Sequence, residues 1–200
     1  MCGRYTIFTE DEIIEIREII NEISRTFGNQ AVKTGEIFPT DVVPLVALRG
    51  GKPEVCLGTW GFPHWEPGKR PLINARSESA HEKRMFAKPL REGRCVVPST
   101  GYYEWTREGK KVTGKHLLRQ PDSKMLYMAG VRGDFKDKDG EWRSHFVVLT
   151  REPTAFVSSF HDRMPVIIQK DEIEQWLGDD GYTGTVLARP GPELVSALAG

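Results

Sequence analysis

The feature that most constrains the fold is a series of strand-like segments joined mainly by short turns. Apolar and β-branched residues are concentrated in the segments 42–48, 54–62, 94–97, 102–105, 115–119, 125–131 and 144–150. Parallel strands need a crossover connection of about a dozen or more residues, usually a helix, between each pair. Because most of these segments lie closer together than that, the sequence predicts a mostly antiparallel sheet in an α+β fold.

Helical periodicity is limited to a few places. The clearest helix follows a capping-box pattern that begins at Thr9, and its apolar face consists of Ile13, Ile16, Ile20 and Ile23. This helix is expected to end at Gly28. Shorter helices are predicted for 79–88, which Pro89 would end or kink, for 152–160 and for 171–177. The helices are therefore expected to flank the sheet.

Length and composition indicate one ordinary globular domain that covers residues 1–200. Of its 200 residues, 38% are hydrophobic and 28% are charged. No run approaches the roughly 18 apolar residues of a membrane span, and we expect a cytoplasmic protein. Cys2, Cys56 and Cys95 have no CxxC spacing, and the histidines have no HExxH spacing. These patterns argue against a disulfide framework and a zinc site, so we predict neither a metal nor a cofactor.

The charges are unevenly distributed, although the formal net charge is zero. Residues 60–119 carry 13 Lys and Arg against 6 Asp and Glu, whereas residues 1–59 and 120–200 are both acidic. A basic region beside aromatic residues is what a phosphate-backbone partner requires. A solvated basic surface without a partner gives the same counts, so charge alone leaves both interpretations open.

Cys2 follows the initiator methionine directly, and its small side chain permits removal of Met1. Removal would leave an α-amine and a thiol on the same residue, which is a pair that no internal cysteine has. The amine condenses with an aldehyde to an imine, and the thiol then closes on the imine carbon to form a thiazolidine. Many chains begin with Met-Cys by chance, so this chemistry needs support from residues elsewhere.

Glu104 lies among three aromatic residues in the predicted strand 102–105. A carboxylate in such surroundings is either paired or shifted in pKa, and both situations are common at active sites. An ordinary edge-strand glutamate is the alternative. Trp60 and Trp65 raise a similar question, because tryptophans near a loop either border a core or provide faces on which bases stack.

Separate motifs in the chain together resemble one family. They are MCGRY at 1–5, NARSE at 74–78, RCVVP at 94–98 followed by GYYEW at 101–105, FVVLT at 146–150, and HDRMP at 161–165. In this order and spacing they resemble the SRAP family, the SOS-response-associated peptidases, over almost the whole chain. The resemblance implies a mostly antiparallel, partly barrel-like β core with flanking helices.

The resemblance also implies a function, which is to detect and shield abasic sites in single-stranded DNA through a thiazolidine crosslink. It implies that Cys2 is the nucleophile, that Asn74 positions Cys2 and the sugar, and that Glu104 and His161 are acid/base groups. The DNA-binding residues that it implies are Arg4, Pro39, Trp60, Arg76, Arg84, Thr150 and Arg163. The expected partner is single-stranded DNA with abasic sites, bound by a monomer that associates with the nucleoid.

Two alternatives from other classes remain open at this stage. One is a cysteine-dependent peptidase, with Cys2 as nucleophile and His161 as base, that removes the residue before Cys2. The other is a plain single-stranded DNA-binding module that uses Arg4, Arg76 and the tryptophans without covalent chemistry. A thiazolidine needs both the thiol and the free amine, a peptidase needs only the thiol, and a simple binding module needs neither.

Overall fold

A computed structural model describes residues 2–7, 14–27, 33–66, 68–109 and 111–199. The strands are β1 (Tyr5–Ile7), β2 (Gly35–Ile37), β3 (Val42–Arg49), β4 (Lys52–Trp60), β5 (Asn74–Arg76), β6 (Arg94–Ser99), β7 (Gly101–Glu108), β8 (Lys111–Arg119), β9 (Leu126–Lys136), β10 (Trp142–Arg151), β11 (Met164–Pro165), β12 (Ile167–Ile168) and β13 (Val195–Leu198). The helices are α1 (Ile14–Phe27), α2 (Arg84–Glu92), α3 (Ile173–Gly178) and α4 (Asp180–Ala188).

The strands form a closed barrel and a second, smaller sheet. In the barrel, β10, β4, β3, β6 and β9 are neighbours in that order, and β9 pairs with β10 to close the ring. The second sheet has the order β13-β8-β7-β1-β2 and is antiparallel throughout. The predicted α+β fold with a mostly antiparallel, barrel-like core is therefore confirmed. Two pairings are parallel, those of β10 with β4 and with β5.

One continuous stretch of chain connects the two sheets. β6 belongs to the barrel, β7 belongs to the second sheet, and only Thr100 separates them. Thr100 donates to the carbonyl oxygen of Thr6 through both its backbone N–H and its hydroxyl. A Cβ at Gly101 would lie 2.7 Å from the carbonyl oxygen of Leu118, so only glycine allows the strands to come this close. The bend carries β7 from the barrel onto β1.

The helices agree with the sequence only in part. In α1, Ile16 and Ile23 are buried against the barrel as expected, whereas Thr9, Ile13 and Gly28 lie outside the described residues. Near residue 79 the chain forms turns, and α2 begins only at Arg84. α2 also continues past Pro89 to Glu92. Proline removes a single backbone donor, and a helix that packs well on its other residues tolerates this loss.

Other differences concern the last third of the chain. The helix predicted over 152–160 is reduced to a 3₁₀ turn at Val157–Ser159. The capping box near α3 is formed by Gln169 and Glu172, not by residues 171 and 174. The sequence analysis did not identify α4 or β13, because neither has a clear periodic apolar pattern.

Candidate active site around Cys2

Cys2 lies at the centre of the site, on the short segment that leads into β1. Its side chain is fully buried, and its Sγ atom lies 3.9 Å from the carbonyl oxygen of Arg4. The Nδ2 amide of Asn74 donates a hydrogen bond of 2.9 Å to the carbonyl oxygen of Cys2. The backbone N–H of Tyr103 donates a hydrogen bond of 2.9 Å to the carbonyl oxygen of Arg4. β5 and β7 therefore hold this segment from two directions.

Asn74 is positioned by the parallel pairing of β5 with β10, in which it lies opposite Val148. Its Nδ2 atom is occupied by the bond to Cys2. Its Oδ1 atom is buried and has no hydrogen-bond partner among the described residues. A buried acceptor of this kind can receive a hydrogen bond from a ligand hydroxyl. Asn74 can therefore orient Cys2 and a sugar at the same time.

Glu104 projects from β7 and is almost completely buried, with 3% of its surface exposed. Burial, together with the nearby negative charge of Asp162, raises the pKa of Glu104 to about 7. At neutral pH the carboxyl group is therefore present in both protonated and ionised forms. A group with such a pKa can both give and accept protons efficiently near pH 7.

His161 lies on the loop that follows the 3₁₀ turn, and its side chain is 30% exposed. Partial burial lowers the pKa of His161, and Asp162 opposes this effect. The Nδ1 atom accepts the backbone N–H of Arg163 at 3.0 Å and also lies 2.6 Å from Oδ1 of Asp162. The first contact needs a lone pair on Nδ1 and the second needs a proton there, so the two contacts correspond to different tautomers or protonation states of the imidazole.

Cys2, Glu104 and Asp162, which is adjacent to His161, form one electrostatic cluster. Burial raises the pKa of the Cys2 thiol, and the charge of Glu104 raises it further. The charge of Asp162, adjacent to His161, acts in turn on Glu104. The site therefore favours a neutral thiol, and a base must remove its proton before the sulfur can attack.

The predicted DNA-binding arginines fall into two groups. Arg76 and Arg84 are exposed, at the end of β5 and the start of α2. Arg4 and Arg163 are held by the protein itself. The guanidinium of Arg4 lies 3.2 Å from Glu36, and the guanidinium of Arg163 donates to Glu78 at 2.7 Å. Arg76 and Arg84 are therefore the better placed of these arginines to meet a phosphate.

The structure corrects the interpretation of Trp60. Its side chain is fully buried, and its Nε1–H donates to the carbonyl oxygen of Ile73 at 3.0 Å. The indole packs on the rings of Tyr5 and Phe146, at centroid distances of 5.1 and 6.5 Å. An indole enclosed in this way presents no face to a base, so Trp60 is a core residue.

Thr150 and Pro39, the remaining predicted DNA-binding residues, lie in different environments. Thr150 is fully buried, and its carbonyl oxygen accepts a 2.6 Å hydrogen bond from the guanidinium of Arg163. It can therefore act on DNA only through Arg163. Pro39 is half-buried in the turn between β2 and β3, next to the partly exposed ring of Phe38. Its predicted place at the edge of a DNA surface remains compatible with its exposure.

An aromatic and cationic cluster beside the site was not recognised from the sequence. The guanidinium of Arg4 lies over the ring of Phe38 at 4.1 Å and over the ring of Trp105 at 5.2 Å. On the same sheet, the ammonium group of Lys115 lies 4.2 Å from the centre of the Tyr103 ring. The alternation of β7 was a usable signal, because Tyr103 and Trp105 share the face opposite Glu104.

Neither metal nor membrane features were found in the parts of the chain that the structure describes. Within those parts, no group of three or more His, Cys, Asp and Glu side chains could hold a metal ion. Among the described helices, none is long and apolar enough to cross a membrane.

Comparisons with known proteins agree with the motifs. The sequence model of the family described as SOS response associated peptidase (SRAP) matches residues 1–193. The chain is 30% identical over 188 residues to the abasic site processing protein YoqW of Bacillus subtilis, covering 88% of this chain and 80% of that protein. It is 28% identical over 180 residues to the abasic site processing protein YedK of Escherichia coli, covering 88% and 79%.

Solved structures share the fold. A crystal structure of a protein from Bacteroides thetaiotaomicron superimposes with a TM-score of 0.81 at 23% identity, covering 98% of this chain and 91% of that one. A crystal structure of a protein from Bordetella bronchiseptica superimposes with a TM-score of 0.78 at 21% identity, covering all of both chains. At these identities the comparison shows a common fold and nothing about activity.

Proposed function

The chain belongs to the SRAP family, and we propose that it captures abasic sites in single-stranded DNA as a covalent adduct on Cys2. Several relatives are named abasic site processing proteins, which supports action on abasic DNA. The thiazolidine crosslink, the preference for single strands and the nucleoid association in the cytoplasm are part of the proposal.

One observation carries the proposal, which is the surroundings of Cys2. Asn74 holds the carbonyl group of Cys2 from a position 72 residues away in sequence. Glu104, with a pKa raised by burial to about 7, acts electrostatically on the same residue. A buried N-terminal cysteine next to a group that exchanges protons at neutral pH suits imine and thiazolidine chemistry.

Ring opening of the abasic sugar is the first step of the proposed reaction. The hydroxyl on C1′ loses a proton, the ring oxygen gains one, and the bond between C1′ and the ring oxygen breaks to give an aldehyde. The neutral imidazole of His161 or the carboxylate of Glu104 can accept the first proton, and the protonated carboxyl can supply the second. General acid–base help of this type contributes about 10²–10⁴-fold.

Crosslinking then takes place on Cys2 after Met1 has been removed. The neutral α-amine attacks C1′, and loss of one water molecule leaves an imine. The thiol proton passes to the carboxylate of Glu104, and the sulfur forms a bond to C1′ while the C=N electron pair moves to nitrogen. The nitrogen then takes up the proton from the Glu104 carboxyl group. The product is a thiazolidine, and the overall reaction releases one water molecule.

The surroundings of the thiol favour this reaction over peptidase chemistry. A cysteine peptidase depends on a thiolate whose pKa is lowered by a neighbouring cation. In this site, burial and the charge of Glu104 raise the pKa of the Cys2 thiol, and they outweigh the positive charge of the N-terminus, which lowers it. A reaction that begins with the amine, and needs the sulfur only in its last step, fits these electrostatics better.

Intact mass spectrometry tests the proposal directly. Single-stranded DNA with one abasic site is incubated with protein that has been confirmed to lack Met1. We expect a product with the mass of the processed protein plus DNA minus one water, stable without borohydride. Cys2→Ser should give no stable adduct, while the matched variant Cys56→Ser should retain it in full. Absence of the adduct from processed wild-type protein would refute the crosslinking proposal.

A further inference from the structure

Two buried tyrosines lie beside the site and are not used in the proposed reaction. Tyr5 on β1 and Tyr102 on β7 are paired directly opposite each other, so their side chains share one face of the sheet. Both residues are fully buried. Neither hydroxyl has a hydrogen-bond partner among the described residues. A buried tyrosine hydroxyl usually has a partner, so two such hydroxyls side by side suggest that their partner is the reacting group.

Both tyrosines belong to the same buried core cluster as Cys2. The ring of Tyr5 packs on Trp60 at 5.1 Å, and Trp60 donates to the carbonyl oxygen of Ile73, the residue before Asn74. Tyr102 precedes Glu104 by two residues, so its side chain lies on the same face of β7 as the carboxyl group. Burial is the main cause of the raised pKa of both phenols, and negative charge on the Cys2 sulfur is the next largest.

The two tyrosine hydroxyls can assist thiazolidine closure, the last step of the reaction, by stabilising the Cys2 thiolate. The sulfur must lose its proton inside a buried site, where a thiolate is poorly solvated. A neutral O–H donor stabilises a thiolate without adding a second charge to the interior. Burial holds the pKa of each phenol well above 10, so both hydroxyls keep their protons and remain donors.

We propose that the hydroxyls of Tyr5 and Tyr102 donate hydrogen bonds to the Cys2 sulfur while it carries negative charge, and so accelerate thiazolidine closure. This inference rests on the proposed crosslinking function. The thiol proton passes to the carboxylate of Glu104, and the sulfur electron pair forms the bond to C1′ while the C=N pair moves to nitrogen. The nitrogen takes up the proton from Glu104, and both phenols remain protonated throughout. The earlier imine step does not involve the sulfur, so the tyrosines should not affect it.

Three variants separate imine formation from thiazolidine closure. They are Tyr5→Phe, Tyr102→Phe and the double variant. Phenylalanine retains the ring packing and removes only a hydroxyl that has no hydrogen-bond partner among the described residues, so the melting temperature should stay the same or rise. In single-turnover reactions, we expect borohydride-trapped imine to form within twofold of the wild-type rate. We expect conversion to the borohydride-independent adduct to slow at least tenfold in the double variant.

Tyr127→Phe is the matched control, since the charges that act on this barrel tyrosine are those of Glu15 and Glu18. It should leave both rates unchanged. A folded double variant that closes the thiazolidine as fast as wild type would overturn the inference. So would an equal slowing of both steps, because that result indicates a general structural effect.

A measurement without DNA tests the role of the two tyrosines independently of the proposed crosslinking function. If wild-type protein forms no DNA adduct, the crosslinking proposal fails, whereas the thiol can still be examined by its reaction with methyl methanethiosulfonate. Peptide mapping locates the modification at Cys2. A tenfold slower reaction in the double variant would support thiolate stabilisation by the hydroxyls, and equal rates would exclude it.

Discussion

At the scale of single residues, the behaviour of the site depends most on the buried carboxyl group of Glu104. Its residue type suggested acid/base chemistry, but the pKa of about 7 results mainly from its burial. A carboxyl group that is ionised in such a position carries a desolvation cost. The protein therefore gives up stability at neutral and higher pH to keep a proton-exchanging group beside Cys2.

Replacing Glu104 with Gln should reveal the desolvation cost of the ionised carboxyl group. The folded-state pKa of about 7 lies above the unfolded value of 4.5, so the native state binds more protons between these values and loses stability as pH rises through them. At pH 8, Glu104→Gln should be more stable than wild type by on the order of 3 kcal/mol. At pH 4 the difference should nearly vanish.

Urea unfolding at pH 4 and pH 8 measures these differences. The variant should also crosslink about 10²–10⁴-fold more slowly, because it cannot exchange protons. An unchanged stability difference between the two pH values would contradict the raised pKa.

At the scale of elements, β8 connects the acid/base strand with the loop that carries His161. His116 on β8 lies directly opposite Glu104 on β7. Its ring contacts Phe160 edge to face at a centroid distance of 4.9 Å, and its Nε2 atom lies 3.3 Å from Oγ1 of Thr106. A Cβ at Gly114 would lie 2.8 Å from Nε2 of His116, so the glycine makes room for this contact.

We predict that the ring of His116 positions His161 through its contact with Phe160. His116→Ala removes the contact and should slow crosslinking about threefold to tenfold, which corresponds to an aromatic contact of about 0.5–1.5 kcal/mol. His116→Phe keeps an aromatic ring and should restore most of the rate.

Single-turnover rates and DNA affinity are measured for both variants. We expect the affinity to stay constant while the rate changes. Equal rates for the Ala and Phe variants would show that the ring contact has no positioning effect.

At the scale of the whole molecule, the basic excess of residues 60–119 is divided between exposed and internally paired side chains. The exposed arginines at positions 76 and 84 lie on β5 and α2, close in sequence to Asn74. Other charges in the same region are used internally. Lys115, for example, is paired with Glu36 at 2.7 Å. The net charge of a region therefore overstates how many of its cations can bind phosphate.

The salt dependence of DNA affinity should show how many Arg and Lys side chains contact phosphates. If Arg84 contacts one phosphate, Arg84→Ser should reduce the slope of log affinity against log salt by about 0.7, the value per contact for single strands. Arg76→Ser should have a similar effect. Arg143→Ser is a matched control, since its exposed guanidinium is paired with Asp137 on the β9–β10 hairpin.

Fluorescence anisotropy between about 50 and 200 mM salt provides the slopes. Loss of affinity in the Arg143 variant equal to that in the Arg84 variant would argue against a defined DNA surface. Affinity that depends strongly on the flanking sequence would argue against recognition of the backbone and lesion alone.

The sequence by itself determined the local patterns and the chemical types. Short connections between apolar segments predicted the antiparallel α+β core, and the motifs identified Cys2, Asn74, Glu104 and His161 together with the SRAP family. The fold class and the family are confirmed, because periodicity and turn residues are properties of neighbouring residues. The roles of the four site residues stay predictions. The closed barrel was anticipated only through the family resemblance, because pairing between β9 and β10 and between β10 and β4 follows from no single segment.

Only the tertiary structure decided how each of these residues behaves. Trp60 became a core residue because Tyr5 and Phe146 enclose it, although its sequence position also suggested a DNA surface. Helix α2 began later than its capping pattern indicated, and α4 and β13 were found only in the fold. The pKa of Glu104 and the placement of Cys2 depend on contacts between residues far apart in sequence. Burial and non-local pairing set these properties, and neither can be read from a local pattern.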